Sequence, residues 1–315
     1  MRNTKNIIVI GLGGVGGYFG FKINKNNENN KSHRVTFVAR GKTFETVKNT
    51  GLTLLSPDHE SATTVPDSLL QNISEITHPD LIFICVKEYD LENVCTQLSE
   101  VITPNTILFP MMNGANIYDR IRTKLPNNII LPSCVYVASH IKEKGIVEHT
   151  GKAGKLIFGK DPENPASDIT WVTQIIKQSA IDFEFKENSM VDIWTKFIFI
   201  ASFGLVTAKH NSSIGKVCSD EFQRKEATEI MTEIHQIAKG KSIRLGDHII
   251  NISFSKASTF PPKTPTSLQL DVNNGKEQNE LELFAGAILK YGSDLKIKTP
   301  FTQNIYNEIK AINQG

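Results

Sequence analysis

The chain has 315 residues, more than one ordinary core needs and suited to two domains. Hydrophobic residues make up 39% and charged residues 22%, an ordinary globular balance, and 35 basic against 33 acidic residues leave a net charge of +2. So small an imbalance gives no reason to expect nucleic acid or an anionic membrane as a partner.

The opening stretch Met1–Asn6 lacks the apolar core and cleavage site of a signal peptide. Residues 7–10, IIVI, read as a buried parallel strand, because β-branched residues run on without alternation. After a glycine cluster, VGGYFGFKINKN can form a helix, and the Asn-rich NKNNENNKSH (24–33) reads as an exposed loop. RVTFVAR is a second strand, and TFETVKNTG a helix ended by Gly51. LIFICVK (81–87) is a third strand, LENVCTQLSEVI an amphipathic helix, and TILFPMMNG and IILPSCVYVAS two more strands. This β-α alternation predicts a doubly wound parallel sheet of the Rossmann kind.

From GKAGKLIFGK the pattern changes to a strand, a helix, and then an almost wholly helical remainder with helices expected at 190–208, 219–239, 247–257, 277–292 and 302–313. The Pro-rich FPPKTPTS (260–267) reads as a loop. The fold expected is therefore α/β, with a nucleotide-binding domain over 1–187 and an all-helical domain over 188–315. The most apolar segment, 190–208, carries Asp192 and Lys196, and its uncharged part, Phe197 to Ala208, is 12 residues long. A bilayer crossing needs about 20, so this segment reads as a buried helix.

Cys85, Cys95, Cys134 and Cys218 are widely spaced and form no C-x-x-C pair, which reads as packing cysteines in a reducing, cytoplasmic compartment. The eight histidines show no H-x-H or H-E-x-x-H pairing, so no metal is expected. No nucleophile-elbow motif suggests a Ser-His-Asp arrangement.

GLGGVG (11–16) fits G-x-G-x-x-G after a strand and at the start of a helix. Gly11 allows the tight turn, Gly13 lets the backbone approach a pyrophosphate, and Gly16 lets the helix pack close to the strand; Gly14 and Val15 complete the turn. The second strand ends at Arg40 rather than at an acid, and a guanidinium there can hold the 2′-phosphate of NADP(H) as a fork. An arginine lying on the surface without a ligand is the alternative. Lys196 is the only charge between Asp192 and Lys209, either a general acid in an apolar cleft or a lysine snorkelling to the surface.

Taken in order, several motifs resemble the ketopantoate reductase family, the NADPH-dependent 2-dehydropantoate 2-reductases. They are GLGGVGG, VAR-G, the strand ending at Lys87, Asn113-Gly114, KGIVEHTGKAG (144–154), W-T-K (194–196), TSLQLD (266–271) and E-L-E (280–282). The resemblance spans nearly the whole chain. It implies that the first domain binds NADPH and the helical domain closes over a small 2-oxo acid. Lys196 matches the family's proton-donating lysine, Glu280 its acidic partner, Lys87 and Asn113 positions near nicotinamide and substrate, and Ser267 a serine that holds the substrate carboxylate. Each has a plainer alternative. Asn-Gly is a common turn pair, Ser267 can be a helix cap, and Glu280 can be a solvated helix residue. E-L-E offers two carboxylates, and the count from Ser267 runs one residue long.

The chain also departs from the family. Two asparagines that follow the catalytic lysine at i+4 and i+8 are Ile200 and Gly204 here. The cofactor half of the resemblance is intact and the substrate half is altered. The expectation is NADPH-dependent reduction of a 2-oxo acid, with 2-dehydropantoate first in line. A paralogue acting on a more apolar ketone, or an NADP-binding sensor without turnover, is the alternative. No nucleic-acid or membrane partner is expected, and a homodimer is left open.

Overall fold

The computed structural model describes residues 4–57 and 59–314. Met1–Asn3, part of the stretch read as lacking a signal peptide, lie outside the described residues, as does the side chain of His59. The chain divides into two units, Met1–Asn113 with Ile117–Ser189, and Gly114–Asn116 with Met190–Gly315. Ser189 stays with the first because its hydroxyl donates to the Pro132 carbonyl at 2.7 Å. Gly159 makes room for it, since a Cβ there would lie 2.8 Å from the Ser189 amide nitrogen.

In the first unit β1 (Asn6–Ile10) leads into α1 (Gly14–Asn30) and β2 (Arg34–Val38). Next come α2 (Gly41–Thr50), the hairpin β3 (Leu52–Ser56) and β4 (His59–Thr64), and the short β5 (Ser68–Leu70). Then follow β6 (Leu81–Ile84), α3 (Leu91–Leu98), β7 (Ile107–Pro110), α4 (Ile117–Lys124) and β8 (Ile129–Ile130). The unit ends with β9 (Ser133–Tyr136), β10 (Ser139–Glu143), β11 (Ile146–His149), β12 (Lys155–Gly159), α5 (Thr170–Gln178) and β13 (Asp182–Lys186).

Six strands form one sheet in the order β5-β2-β1-β6-β7-β8, with every neighbouring pair parallel. Strands β1, β6 and β7 are buried throughout or nearly so, as their unbroken apolar runs require when both faces are covered. Strand order reverses at β1, which has β2 on one side and β6 on the other, and the crevice beyond the carboxyl ends of such strands is where open α/β sheets take ligands.

Several expectations need correction. The run IILPSCVYVAS is not one strand: β8 ends at Ile130 in the parallel sheet, while β9 belongs to a separate sheet with β12 and β13. Pro132 lies between them; it has no N–H to continue a ladder, and its carbonyl accepts from Gly159 at 3.0 Å. The Asn-rich stretch is not a loop up to Asn30, because α1 continues through it. Asn24 and Asn27 are buried there despite the modest helix propensity of asparagine. Asn24 donates to Thr64 Oγ1 at 2.7 Å and to the Val65 carbonyl at 2.9 Å, and Asn27 to Asp67 at 2.9 Å. The amides thus satisfy polar groups of the neighbouring β4–β5 link, the Thr64 hydroxyl among them buried.

The segment KGIVEHTGKAG folds as β11 and the turn after it, against α1. A Cβ on Gly154 would lie 2.6 Å from the Tyr18 ring, whose hydroxyl accepts from the Gly154 amide at 2.9 Å. His149 is buried, 2.9 Å from Ser56 Oγ and 2.8 Å from the Lys152 carbonyl, which is a packing role. A polar hub ties α4 to the β8 edge of the sheet. Buried Asp161 accepts from Tyr118 at 2.6 Å, Arg122 at 2.6 Å, the Ile130 amide at 2.9 Å and Asn164 at 2.9 Å.

The second unit is helical: α6 (Met190–His210), α7 (Ile214–Ser219), α8 (Glu221–Gly240), α9 (Ile249–Ala257), α10 (Ser267–Asn273), α11 (Ala287–Leu295) and α12 (Pro300–Gln314). The short α7 and α10 were not expected. Helix α6 packs against α8, α10 and α12. By length and composition α6 could cross a membrane, yet 72% of its most apolar window is buried within the fold. Directly before α11, Glu282–Gly286 wind as one wider π-helical turn, with the Ala287 amide donating to the Glu282 carbonyl five residues back.

Candidate functional site

The β1–α1 turn follows from steric necessity. Gly11 has φ +88°, in the region that disfavours side chains, and a Cβ on it would lie 2.6 Å from the Cys85 carbonyl oxygen. A Cβ on Gly16 would run into the Gly11 carbonyl and lie 2.7 Å from Cys85 Cβ, so α1 leaves the sheet in close contact with β6. A Cβ on Gly14 would run into the Ser139 carbonyl of β10. Gly13 differs: a Cβ there would meet nothing within 4 Å, which leaves open space beside the first turn of α1. Gly13 caps that helix without a side-chain hydrogen bond, and the first amides of any helix lack intrahelical partners. Open space, free amides and a positive dipole end together suit a phosphate.

Strand register brings the next parts alongside. Ile10 pairs with Val38 and with Ile84, so the residues following all three strands share one sheet edge. A cleft of about 370 Å³ lies there, lined by Gly11 and Gly13, by Val38, Ala39 and Arg40, by Ile73, and by Asn93, Val94 and Gln97 of α3. Apolar Val38, Ala39, Ile73 and Val94 suit the faces of a planar base, and the amides of Asn93 and Gln97 suit its edge. Asn93, Gln97 and Ile141 carried no signal in the sequence, because their place in the cleft depends on folding alone.

Arg40 stands at the rim, 67% exposed, with Nη2 3.2 Å from Asp90 Oδ2. Asp90 follows β6 on a short turn, Glu88–Asp90. Lys87 is exposed three residues beyond Ile84, the last residue of β6, and Asn113 is half-buried three residues beyond Pro110, the last of β7. Ile84 and Pro110 are register partners, so the two side chains start from adjacent strand ends at the same edge. Neither lines the cleft around Arg40.

Cys85 is buried beneath the glycine turn, and burial pushes its thiol well above the usual range. Burial also pushes Cys95 up to about 11. Both act as packing groups. Among the described residues, no cluster of three His, Cys, Asp or Glu side chains is placed to hold a metal.

In the second unit Lys196 is 9% exposed, so α6 buries this lysine rather than letting it reach the surface. Glu280 is 5% exposed, just ahead of the π-helical turn. The choice between the two carboxylates of E-L-E has a structural counterpart. Glu282 is held at the surface by the Tyr306 hydroxyl at 2.6 Å and Lys310 at 3.5 Å, whereas Glu280 is buried. Ser267 is not a helix cap. Thr266 caps α10, accepting from the Gln269 amide at 3.2 Å, and Ser267 is the exposed first residue of that helix.

The face of α6 beyond Lys196 is closed by neighbours. A Cβ on Gly204 would lie 3.4 Å from the Phe284 ring and 3.8 Å from Leu268 Cβ. Thr207 and Thr266 share a hydrogen bond of 2.7 Å. Phe284 comes from the π-helical turn and is 2% exposed. No sequence pattern linked it to Gly204.

Comparison with known proteins agrees with this layout. The ketopantoate reductase PanE/ApbA family model matches residues 7–163, and the PanE/ApbA C-terminal model matches residues 188–313. An uncharacterized oxidoreductase of Bacillus subtilis, YkpB, is 23% identical over 88% of this chain and 90% of its own length. The crystal structure of a PanE/ApbA family ketopantoate reductase from Ralstonia eutropha superposes with a TM-score of 0.87 at 22% identity, covering 98% of each chain. The ternary structure of D-mandelate dehydrogenase with NADH and anilino(oxo)acetate gives a TM-score of 0.84 at 18% identity, again over 98% of each chain. At such identities the structural likeness speaks for the fold, and the family models speak for descent. The chain belongs to the ketopantoate reductase family, oxidoreductases that act on CH–OH groups with a nicotinamide cofactor.

Proposed function

We propose that this protein uses NADPH to reduce a 2-oxo acid whose side group is more apolar than that of ketopantoate. The observation that carries the substrate reading is the Phe284 ring against Gly204, on the helix that buries Lys196. By the family resemblance an asparagine would stand at Gly204 and another at Ile200. Where the family has amides that bind a substrate hydroxyl, this chain has an aliphatic side chain and a glycine covered by the Phe284 ring, and neither offers a hydrogen bond to offset desolvation of that hydroxyl. The D-mandelate dehydrogenase likeness adds an aromatic oxo acid to the candidates.

Arg40 at the end of β2 supports NADPH, since a guanidinium fork suits the 2′-phosphate. The free first amides of α1 hold the pyrophosphate. When bound, the nicotinamide supplies the hydride that reaches the ketone carbon. Lys196 gives a proton from Nζ to the ketone oxygen, and its charge stabilises the negative charge that develops there beforehand. By the family resemblance buried Glu280 is the acidic partner that orients the lysine. The apolar length of α6 excludes water from the ammonium, so its charge acts at low dielectric.

The test follows NADPH consumption with ketopantoate, branched aliphatic 2-oxo acids and phenyl-bearing 2-oxo acids. An apolar 2-oxo acid is expected to give the highest kcat/KM. Efficient turnover of ketopantoate above the apolar acids would sink the substrate reading. NADPH binding without oxidation by any ketone would favour a sensor.

A further inference from the structure

We infer that Asp90 sets the cofactor preference of this site by opposing the 2′-phosphate that Arg40 attracts. The inference rests on the reading that Arg40 meets the nucleotide ribose. Sites selective for NAD carry their acid at the end of the second strand, where it holds the ribose hydroxyls. Here that position is Arg40, and a carboxylate arrives from the other side of β1, on the segment that follows β6.

The segment Glu88–Glu92 carries three carboxylates. Glu88 pairs with Arg120 at 2.5 Å and Glu92 with Lys124 at 2.7 Å, both cations on α4. Asp90 pairs instead with the rim arginine, at 3.2 Å. Arg40 is 67% exposed and Asp90 30%, so the pair is solvated, and breaking it costs little in itself. What Asp90 changes is the charge an incoming phosphate meets. A 2′-phosphate that takes the fork of Arg40 must displace the carboxylate and then sit beside it, like charge next to like charge. NADH has only a hydroxyl at that position and leaves the pair undisturbed. The rim is therefore tuned between the two cofactors: Arg40 draws the phosphate and Asp90 moderates the draw.

The experiment measures Kd for NADPH and for NADH by the fluorescence of the bound nicotinamide, in wild type, Asp90→Asn, Asp90→Ser and Arg40→Ala. Both Asp90 variants are expected to lower the Kd for NADPH by about fivefold, the upper reach of an exposed charge pair, while NADH shifts by less than about twofold. The gain is expected to shrink at high salt, because the opposition is electrostatic. A ratio of the two Kd values that stays put, or moves toward NADH, overturns the inference. If wild type binds both cofactors and Arg40→Ala weakens them equally, the reading of Arg40 fails instead, and the two failures are distinguishable.

Discussion

The β1–α1 turn of the first unit and the α6 face of the second are built on opposite principles. The turn is made of backbone. A carbonyl or a neighbouring side chain occupies the place where a Cβ of Gly11, Gly14 or Gly16 would stand, so almost no residue but glycine fits. The α6 face is made of side chains drawn from α6, α10 and the π-helical turn, and Gly204 borders a ring that lies in ordinary contact distance of a Cβ. A backbone site tolerates little change, and on the proposed reading it serves the pyrophosphate, a ligand part common to all dinucleotides. A side-chain site can exchange amide for aliphatic without disturbing the helix, so the proposed substrate half is free to change while the proposed cofactor half is not.

This contrast can be broken at specific residues. The largest effect is expected at Lys196. Lys196→Ala should lower kcat by about 10² to 10⁴, the range for general acid assistance, with little change in the Kd for NADPH. Equal losses in turnover and cofactor binding would mean that the lysine serves both halves, and the division would collapse.

The second concerns the Asp161 hub at the β8 edge of the first unit. Burial alone would raise the carboxyl of Asp161, but hydrogen bonds from Tyr118, the Ile130 amide, Asn164 and Arg122 outweigh it and hold it below the usual range. A carboxyl depressed in the folded state contributes stability above its unfolded value, near pH 4, and loses that contribution as pH falls through the folded value. Asp161→Ala should cost about 3 kcal/mol at neutral pH, the scale for stripping one partner from a buried pair, and should flatten the acid limb of the stability curve. Chemical denaturation of both proteins from neutral pH down to about pH 3 checks both parts.

The third sharpens the cofactor half. Arg40→Ala should weaken NADPH by about 1.5–3 kcal/mol, the worth of a hydrogen bond to a charged group, and NADH much less; isothermal titration with each cofactor reads the difference.

The smallest effects come from two matched substitutions. Gly16→Ala should destabilise by about 1–3 kcal/mol through overpacking, since the new methyl meets the Gly11 carbonyl. Gly204→Ala should change stability by less than about 1 kcal/mol, because better helix propensity offsets mild crowding against Phe284. Thermal melts of the pair decide it, and equal losses would show that the α6 face is as tightly constrained as the turn.

Where one local cause decided the outcome, the sequence was readable. IIVI and LIFI are buried on both faces and look it, the glycine spacing follows from close contacts within a few residues, and α2 ends at Gly51 with φ +79°. Elements held by distant partners were not readable. Strands β3, β4 and β13 are short and partly exposed, and they form through pairing. The second half of α1 is poor in helix formers and is held by groups about 40 residues away. In the candidate site, Arg40 and Lys196 stood out as lone charges beside apolar runs. Asp90 and Phe284 did not, because each gains its meaning from a partner 50 or 80 positions away in the chain.

The asparagine-rich end of α1 carries a further consequence for how this gene can change. Low-complexity tracts are usually loops, where an added or dropped residue costs little. Here one inserted residue turns everything after it by about 100° around the helix axis. An insertion between Asn24 and Asn27 would carry the second away from Asp67 while the first stayed on Thr64. The tract looks like filler yet is locked in length: its composition can wander at the exposed positions, and its codon count cannot.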